Sequence, residues 1–358
     1  MKTGLLLTAC ATSALATSVA AQGLITASGI VDLALRNVSN EGVGSMTSMV
    51  SGSNSTSRLV FSGLEHLGGG LSAGFHLEHG LLADTGTAAS ASKFWDRRST
   101  VSLMSASLGE LRLGRDFVPS YASWSRFDPF SYVGVARSAN LVSATPVGPI
   151  RAAFGANPNT TVRSDNAVQL LLPAGLAGVE GGVMVAPGEG RDAASGRAKL
   201  VGIRLGYATK GFSISGGRTH SENDLTTAGR FADTVVGGHV NVANLKLSAA
   251  WREFEYSRAK QGLLLLGAVA TWGAHEVKAS WVRTDLSGRV DATAIGGNDA
   301  RQLGIGYVYH LSKRTALYAT VAHLSNDGAA RYVISDGPPG MQGGGTSRGY
   351  EAGLRHRF

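Results

Sequence analysis

Apolar side chains occupy every second position in stretches that recur almost from end to end of the chain. The clearest stretches cover residues 25–36, 71–78, 201–207 and 302–311. A β-strand sends successive side chains to opposite faces, so this period of two predicts strands with one apolar face and one polar face. Each stretch is about ten residues long, the length that a tilted strand needs to cross a bilayer.

The chain ends on a strand of the same kind, "GYEAGLRHRF". Tyr350, Leu354 and Phe358 share one face, and Glu351 and Arg355 share the other. In a membrane barrel the first face meets lipid and the second faces water in the lumen. We therefore predict that Phe358 lies in the aromatic girdle at the membrane interface.

Turn signals join the predicted strands in pairs. Short glycine-rich or polar turns fall at 68–70, 107–109, 173–175, 210–211, 243–244, 273–274 and 312–314. Longer polar connections fall between them, at 39–56, 187–197, 221–230 and 325–348. Tight turns on one rim and long loops on the other predict an all-β fold, an antiparallel transmembrane barrel of roughly sixteen strands with short periplasmic turns and long external loops. A soluble β-sandwich or β-helix is the alternative that alternation alone leaves open.

One interval breaks this spacing. From Gly109 to Pro173 the gap between short turns is nearly twice the usual one, and residues 118–164 show no sustained alternation. A loop of that length without regular structure is uncommon unless it has a function. We predict that 118–164 is the third loop and that it folds into the lumen as a constriction, where its backbone meets water and protein instead of lipid.

The amino terminus predicts export. Lys2 precedes an apolar run that starts at Leu5, and small residues lead to Ala21. This pattern indicates a signal peptide over 1–21 and a mature barrel over 22–358. A rival interpretation is a lipid-attachment signal that ends at Cys10, although the apolar stretch before it is short for that role.

Composition supports this picture. The 358 residues include 49 glycines and 9 prolines, which argues against a helical protein. Cys10 is the only cysteine, so a chain cleaved after Ala21 has no disulfide, no cysteine-ligated metal and no thiol chemistry. The net charge of +8 invites a nucleic-acid interpretation, but the arginines are dispersed and no binding motif accompanies them.

The sequence resembles the general porins of Gram-negative outer membranes over its whole length. The stretches that carry the resemblance are "SRLVFSGLEHLGGGLSAGFHLEHG" (57–80), "LGELRLGRDF" (108–117), "FDPF" (127–130), "DNAVQ" (165–169), "HLSKRTALYA" (310–319) and "GLRHRF" (353–358). The resemblance implies a homotrimer of sixteen-stranded barrels in the outer membrane, in contact with lipid and lipopolysaccharide. It also implies passive diffusion of small hydrophilic solutes and ions without a cofactor. The terminal strand, with Phe358 at its end, is implied to take part in barrel closure and to be recognised by the barrel-assembly machinery.

Residue by residue, the resemblance places Arg58, Arg97 and Arg163 on the basic wall of the constriction. Asp128 falls in the inward loop, where it is the only acidic residue against several arginines. We include Arg115, Arg126 and Arg137 among the lining candidates. A ring of arginines acts as an anion filter because guanidinium stays charged at every relevant pH, so we expect a weakly anion-selective pore. The alternative is that these arginines are solvated loop charges or contacts to lipopolysaccharide phosphate.

Catalytic and metal-binding interpretations find little support. His76 and His79 lie near Glu78, but alternation puts the two histidines on opposite faces, so no metal site is predicted. No serine–histidine or aspartate–histidine pair stands out, and we predict no enzymatic activity. The functional rival is a non-conducting barrel that serves as an adhesin or structural anchor.

Overall fold

The computed structural model describes residues 24–142, 147–155, 161–188 and 199–358. The predicted signal peptide, and with it Cys10, lies outside the described residues. The strands are β1 (Leu24–Asn40), β2 (Gly44–Ser51), β3 (Arg58–Gly68), β4 (Leu71–Leu82), β5 (Thr87–Ala88), β6 (Arg98–Ser105), β7 (Gly109–Phe117), β8 (Arg163–Leu171), β9 (Val179–Ala186), β10 (Leu200–Ala208), β11 (Phe212–Ser221), β12 (Phe231–Val242), β13 (Leu245–Tyr256), β14 (Ala259–Trp272), β15 (His275–Val290), β16 (Thr293–Ala294), β17 (Ala300–His310), β18 (Thr315–Asn326) and β19 (Thr346–Arg357).

These strands form one closed antiparallel barrel. β2 and β3 pair in succession with β1 and count as one strand of the wall, interrupted at residues 52–57. β5 and β16 are two-residue strands within loops. The wall therefore has sixteen strands, and pairing of β1 with β19 closes it. The predicted fold class is confirmed.

The two faces of the wall differ as the alternation predicts. On β17, Leu303, Ile305 and Tyr307 point outward and are exposed on the isolated barrel, whereas Gln302 and Val308 point inward and are buried. Outward apolar side chains meet lipid in a membrane, and the lumen is lined by polar groups. On β19 the same split puts Tyr350 outside and Glu351 inside.

The two ends of the barrel carry different connections. At one end, the turn end, all seven predicted short turns join consecutive strands. At the other, the loop end, long connections at 83–97, 222–230 and 327–345 alternate with tight ones at 41–43 and 257–258.

The predicted connection over 39–56 is wrong for most of its length. β1 continues to Asn40, and β2 occupies Gly44–Ser51 after a short turn. Met46 and Met49 break the period of two, and serine and glycine surround them. The ladder with β1 supplies the backbone hydrogen bonds there, so the strand forms without an alternating sequence.

The third loop lies inside the barrel, as the sequence predicts. Its described part contains α1 (Pro119–Trp124), a 3-10 helix (Ser138–Leu141) and α2 (Pro149–Phe154). Apolar loop residues such as Trp124, Phe127 and Phe130 join wall residues such as Phe254 and Leu263 in one buried cluster. This core fills the lumen on the side of β12 to β19.

No helix among the described residues is both long enough and apolar enough to cross a membrane.

The carboxyl terminus completes the closure. The backbone groups of Gly29 and Phe358 exchange two hydrogen bonds, each 3.1 Å long. The Phe358 ring lies over Gly29, where a Cβ would overlap the end of the ring and approach the Arg58 carbonyl oxygen to 2.8 Å. The absence of a side chain at Gly29 therefore allows the terminal aromatic ring to seat on β1.

We expect Gly29→Ala to weaken the closed barrel by about 1–3 kcal/mol, because the added methyl overpacks this seam. The measurement is the fraction of protein that remains folded after incubation at increasing temperatures, read on a detergent gel whose samples are not boiled. Gly262→Ala is the matched control, since a Cβ there meets only Trp251 Nε1 at 3.9 Å. Equal melting of the two variants would contradict the role given to Gly29.

Candidate functional site

Two of the predicted arginines meet around one carboxylate on the inner wall. Arg58 begins β3, Arg97 directly precedes β6, and Glu78 points inward from β4 between them. One oxygen of Glu78 lies 2.5 Å from Arg97 Nε and 3.3 Å from Arg58 Nε. Arg97 comes before the first paired residue of β6, so its side chain reaches the lumen although the outward residues Val101 and Leu103 share its parity.

Arg163 completes this group from the first position of β8. Its Nε donates to the Arg97 carbonyl oxygen at 2.7 Å, and its guanidinium lies 4.5 Å from the centre of the Phe117 ring. We call Arg58, Arg97 and Arg163 the arginine trio. Among the described residues, Glu78 is the one carboxylate within 4.0 Å of the trio, and it pairs with Arg58 and Arg97. The trio and Glu78 together therefore keep a formal charge of +2.

The third loop faces the trio. The Phe117 ring beneath Arg163 packs against Tyr121 of α1, with 4.9 Å between ring centres. Tyr121 in turn contacts Tyr132 edge to face at 5.2 Å. The arginine trio on the wall therefore faces a packed aromatic segment on the loop side.

A buried ion pair fixes the loop to the opposite wall. Arg252 on β13 binds Asp233 on β12 through Nε at 2.9 Å and through one terminal nitrogen at 2.7 Å. Ser120 of α1 donates to the same aspartate at 2.6 Å, and Arg252 donates to the Thr161 carbonyl oxygen at 2.9 Å. Residues near both ends of the loop, Ser120 and Thr161, therefore bind the same ion pair.

A second anchor lies across the lumen. Glu351 on β19 accepts from the backbone N–H of Val135 at 3.1 Å and from Arg36 Nε at 2.8 Å. Arg36 also donates to Ser53 at 2.9 Å and pairs with Asp336 of the 327–345 connection. The loop therefore spans the barrel from β7 to β19.

Asp128 is buried inside the loop and does not face the passage. Its carboxylate accepts from the Ser138 hydroxyl at 2.6 Å and from the backbone N–H groups of Phe130 and Tyr132 at 2.9 and 3.2 Å. Burial raises the pKa of Asp128, and these donors oppose that shift. Asp128 therefore lies in the inward loop, as the sequence predicts. Its carboxylate stabilises the fold of that loop through these hydrogen bonds.

The remaining candidates lie apart from the trio. Arg126 pairs with Glu180 of β9 near the turn end, where Arg204 approaches the same carboxylate at 3.2 Å. Arg137 contacts Ser335 and donates to Asn140 at 3.1 Å, beneath the 327–345 connection at the loop end.

Arg115 points outward with Leu111 and Leu113, away from the lumen. It binds Asp165 at 2.6 Å and the Asp96 carbonyl oxygen at 2.6 Å. Its parity on β7 separates it from Arg112, which faces inward.

Within the residues that the structure covers, no group of three histidine, aspartate or glutamate side chains could hold a metal ion. His76 lies inside the barrel with Nε2 3.5 Å from Glu78, while His79 points outward and stacks on Phe94. The opposite faces predicted for the two histidines are therefore observed.

The Gram-negative porin family model matches residues 6–329 of the sequence. The chain belongs to this family. It is an outer-membrane channel, so the turn end is periplasmic and the loop end faces outside. It is 32% identical to outer membrane porin protein 32 of Delftia acidovorans, over 94% of this porin and 95% of that protein.

Solved structures agree with this assignment. The anion-selective porin from Comamonas acidovorans matches with a TM-score of 0.78 and 31% identity, over 94% of this porin and all of that chain (100%). OmpT of Vibrio cholerae matches with a TM-score of 0.63 over 94% of this porin and 99% of that chain; at 13% identity it shows the fold alone.

Two parts of the porin's site escaped the sequence analysis. Glu78 was considered only as a metal ligand, although the polar face of its strand already placed it in the lumen. Asp233 and Arg252 carry no local signal, because their pairing depends on adjacent strands and on a loop that reaches them from elsewhere in the chain.

We expect Asp233→Asn to loosen the loop of the porin, since it leaves Arg252 buried without its counter-charge at a cost of about 3–5 kcal/mol. Single-channel recordings should show larger or noisier conductance steps. Glu253→Gln on the outer face of β13 is the control and should conduct like the parent. A quiet, unchanged channel in Asp233→Asn would show that the ion pair does not hold the loop.

Proposed function

We propose that this porin is an anion-selective diffusion pore and that the arginine trio is its selectivity filter. The supporting observation is the imbalance of three guanidinium groups against the single carboxylate of Glu78 at the passage beside the loop. The name of the Comamonas acidovorans porin states the same selectivity for a protein of similar sequence. The transport is passive and needs no cofactor or catalytic step.

Simple electrostatics supports a modest preference. A unit charge a few Å from a passing anion contributes on the order of 1 kcal/mol in a wet pore. An excess of two charges therefore favours anions over cations by about tenfold or more, since low-dielectric walls focus the field. Guanidinium groups keep this preference across the pH range because they do not lose their protons.

The inner wall on the periplasmic side of the loop continues the basic surface. Arg98 on β6 and Arg112 on β7 point into this vestibule with Glu110 and Asp116 as partners, and Arg204 on β10 points into it beside Glu180. Arg126 faces the same space, so its predicted role in the pore is proposed for the vestibule instead of the narrowest point.

The inward loop also favours a channel over the adhesin or anchor that the sequence left open. An adhesin presents its longest loop to the outside, whereas here that loop is tied to both walls of the lumen. Arg58, Arg97 and Arg163 remain beside it on the open side.

We infer three partners from the family. The first is two further copies of the chain in a homotrimer, the assembly that the family resemblance implies. The second is the barrel-assembly machinery, for which the terminal strand and Phe358 offer the recognition signal. The third is outer-membrane lipid, including lipopolysaccharide, around the apolar outer face.

Replacing the arginine trio with glutamate should shift the ion preference toward cations, because the filter then carries only negative charge. The measurement is the reversal potential of purified protein in a planar bilayer under a potassium chloride gradient. Arg218→Glu is the matched control, since this exposed arginine points outward from β11 on the same face as Ile214. A trio variant that assembles and still favours chloride would remove these residues from the filter.

Glu78→Gln tests the opposite sign. Removing the carboxylate raises the formal charge of the trio and residue 78 from +2 to +3. The reversal potential should therefore move closer to the chloride equilibrium potential, which corresponds to a rise of up to about tenfold in the chloride-to-potassium permeability ratio. Glu110→Gln, deeper in the vestibule, should have a smaller effect. A shift toward potassium in Glu78→Gln would contradict the proposed filter.

A further inference from the structure

The barrel wall is interrupted between β2 and β3. β1 pairs with β2 as far as Ser51 and with β3 from Arg58 onward. Residues 52–57, which we call the wall insert, lie between these two pairings. A break of this kind removes ladder hydrogen bonds that lipid cannot replace, so the insert needs polar partners from within the protein.

Asp32 on β1 supplies most of these partners. Its side chain is fully buried and points into the lumen side of the wall. The carboxylate accepts hydrogen bonds from three consecutive backbone N–H groups, those of Ser53, Asn54 and Ser55, at 3.2, 3.1 and 2.7 Å. The Tyr318 hydroxyl donates to the same carboxylate. Hydrogen bonds to an ionised acceptor are stronger than neutral ones, so a single side chain fixes the path of the insert.

The backbone of Asp32 holds both ends of the wall insert. Its carbonyl oxygen accepts from the N–H of Gly52 at 2.8 Å. At the other end, the Asp32 N–H donates to the Ser57 hydroxyl at 3.0 Å, and that hydroxyl donates back to the Asp32 carbonyl oxygen at 3.1 Å. The first and last residues of the insert are therefore tied to one residue of β1.

Arg58 of the arginine trio follows the wall insert directly. One of its terminal nitrogens donates to the Thr56 carbonyl oxygen at 3.1 Å, while its Nε lies 3.3 Å from Glu78. The guanidinium group thus rests on the backbone of the insert. Irregularities in a strand re-aim side chains next to functional sites, so the conformation of the insert determines where Arg58 points.

The wall insert also contacts the third loop. The backbone of Gly134 packs against Ser53 so closely that a Cβ at Gly134 would lie 2.5 Å from the Ser53 carbonyl oxygen. The next loop residue, Val135, donates its backbone N–H to the Glu351 anchor at 3.1 Å. The insert therefore touches the third loop at one end and carries an arginine of the trio at the other.

We propose that Asp32 is a positioning residue of the selectivity filter, which shapes the wall insert so that Arg58 is held in the passage beside the third loop. Asp32 acts through Arg58 and not through its own charge, which is buried and fully hydrogen-bonded. The inference rests on the proposed function, because it assigns to Asp32 an effect on ion preference. It also explains why a membrane wall keeps an interruption directly before a filter residue.

The test uses two variants that keep the formal charge, Asp32→Glu and Ser57→Ala. The longer glutamate cannot accept from the same three N–H groups unless the insert moves, and alanine removes both hydroxyl contacts with Asp32. Each should lower the chloride-to-potassium permeability ratio by up to about fivefold, the contribution of one unit charge a few Å from the ion in a wet pore. Ser280→Ala is the matched control, since this buried serine on β15 has no hydrogen-bond partner for its hydroxyl among the described residues.

Arg58→Gln decides whether the effect passes through Arg58. In that background neither Asp32→Glu nor Ser57→Ala should lower the permeability ratio further, because the group they position is gone. Effects that multiply would overturn the proposal. An unchanged ratio in folded Ser57→Ala, with Arg58 intact, would overturn it as well.

A second readout does not depend on the filter. A chain that begins at residue 22 has no cysteine, so Arg58→Cys places a single thiol at this position. The rate at which an anionic methanethiosulfonate reduces the current then reports where residue 58 lies. Adding Ser57→Ala should slow this reaction several-fold, and equal rates would contradict the positioning role. If Arg58→Gln alone leaves the permeability ratio unchanged, the filter assignment fails at Arg58, while the thiol rate still decides whether the insert positions that residue.

Discussion

The hydrogen bonds between β1 and β19 are the constraint on which the rest of the structure depends. Backbone groups in a bilayer must find partners within the protein, and pairing of the first strand with the last satisfies both edges of the sheet. Closure also creates two environments, lipid outside and water inside, so each strand needs the two-faced pattern seen in the sequence. The Gly29–Phe358 contact lies at the end of that seam.

Within the closed wall, the third loop decides where solutes can pass. Its apolar residues fill the side of β12 to β19, while Glu351 and the Asp233–Arg252 pair hold it there. The space that remains is bounded by the arginine trio. The lumen is therefore divided unequally: the side of β12 to β19 is packed like a protein core, and the proposed filter lies on the other side.

The sequence predicted the barrel well because lipid contact imposes a period of two, and β17 shows that period clearly. It predicted β2 poorly, since Met46 and Met49 lie on opposite parities. Arg58, Arg97 and Arg163 were predicted for the constriction from family resemblance, and they do lie together, although alternation around Arg97 pointed the other way. Arg115 could have been placed outward from its parity with Leu111 and Leu113. The role of Asp233 and Arg252 could not be predicted from the sequence, because it depends on tertiary contacts alone.

The loop that crosses the lumen also has a mechanical consequence. A sixteen-stranded tube that is empty can flatten under lateral pressure in the membrane, whereas this one carries an internal strut from β7 to β19. The packed core beneath the strut has low compressibility. The cross-section of the barrel is therefore set by the protein chain, and the aperture stays constant while the surrounding lipid is compressed or stretched.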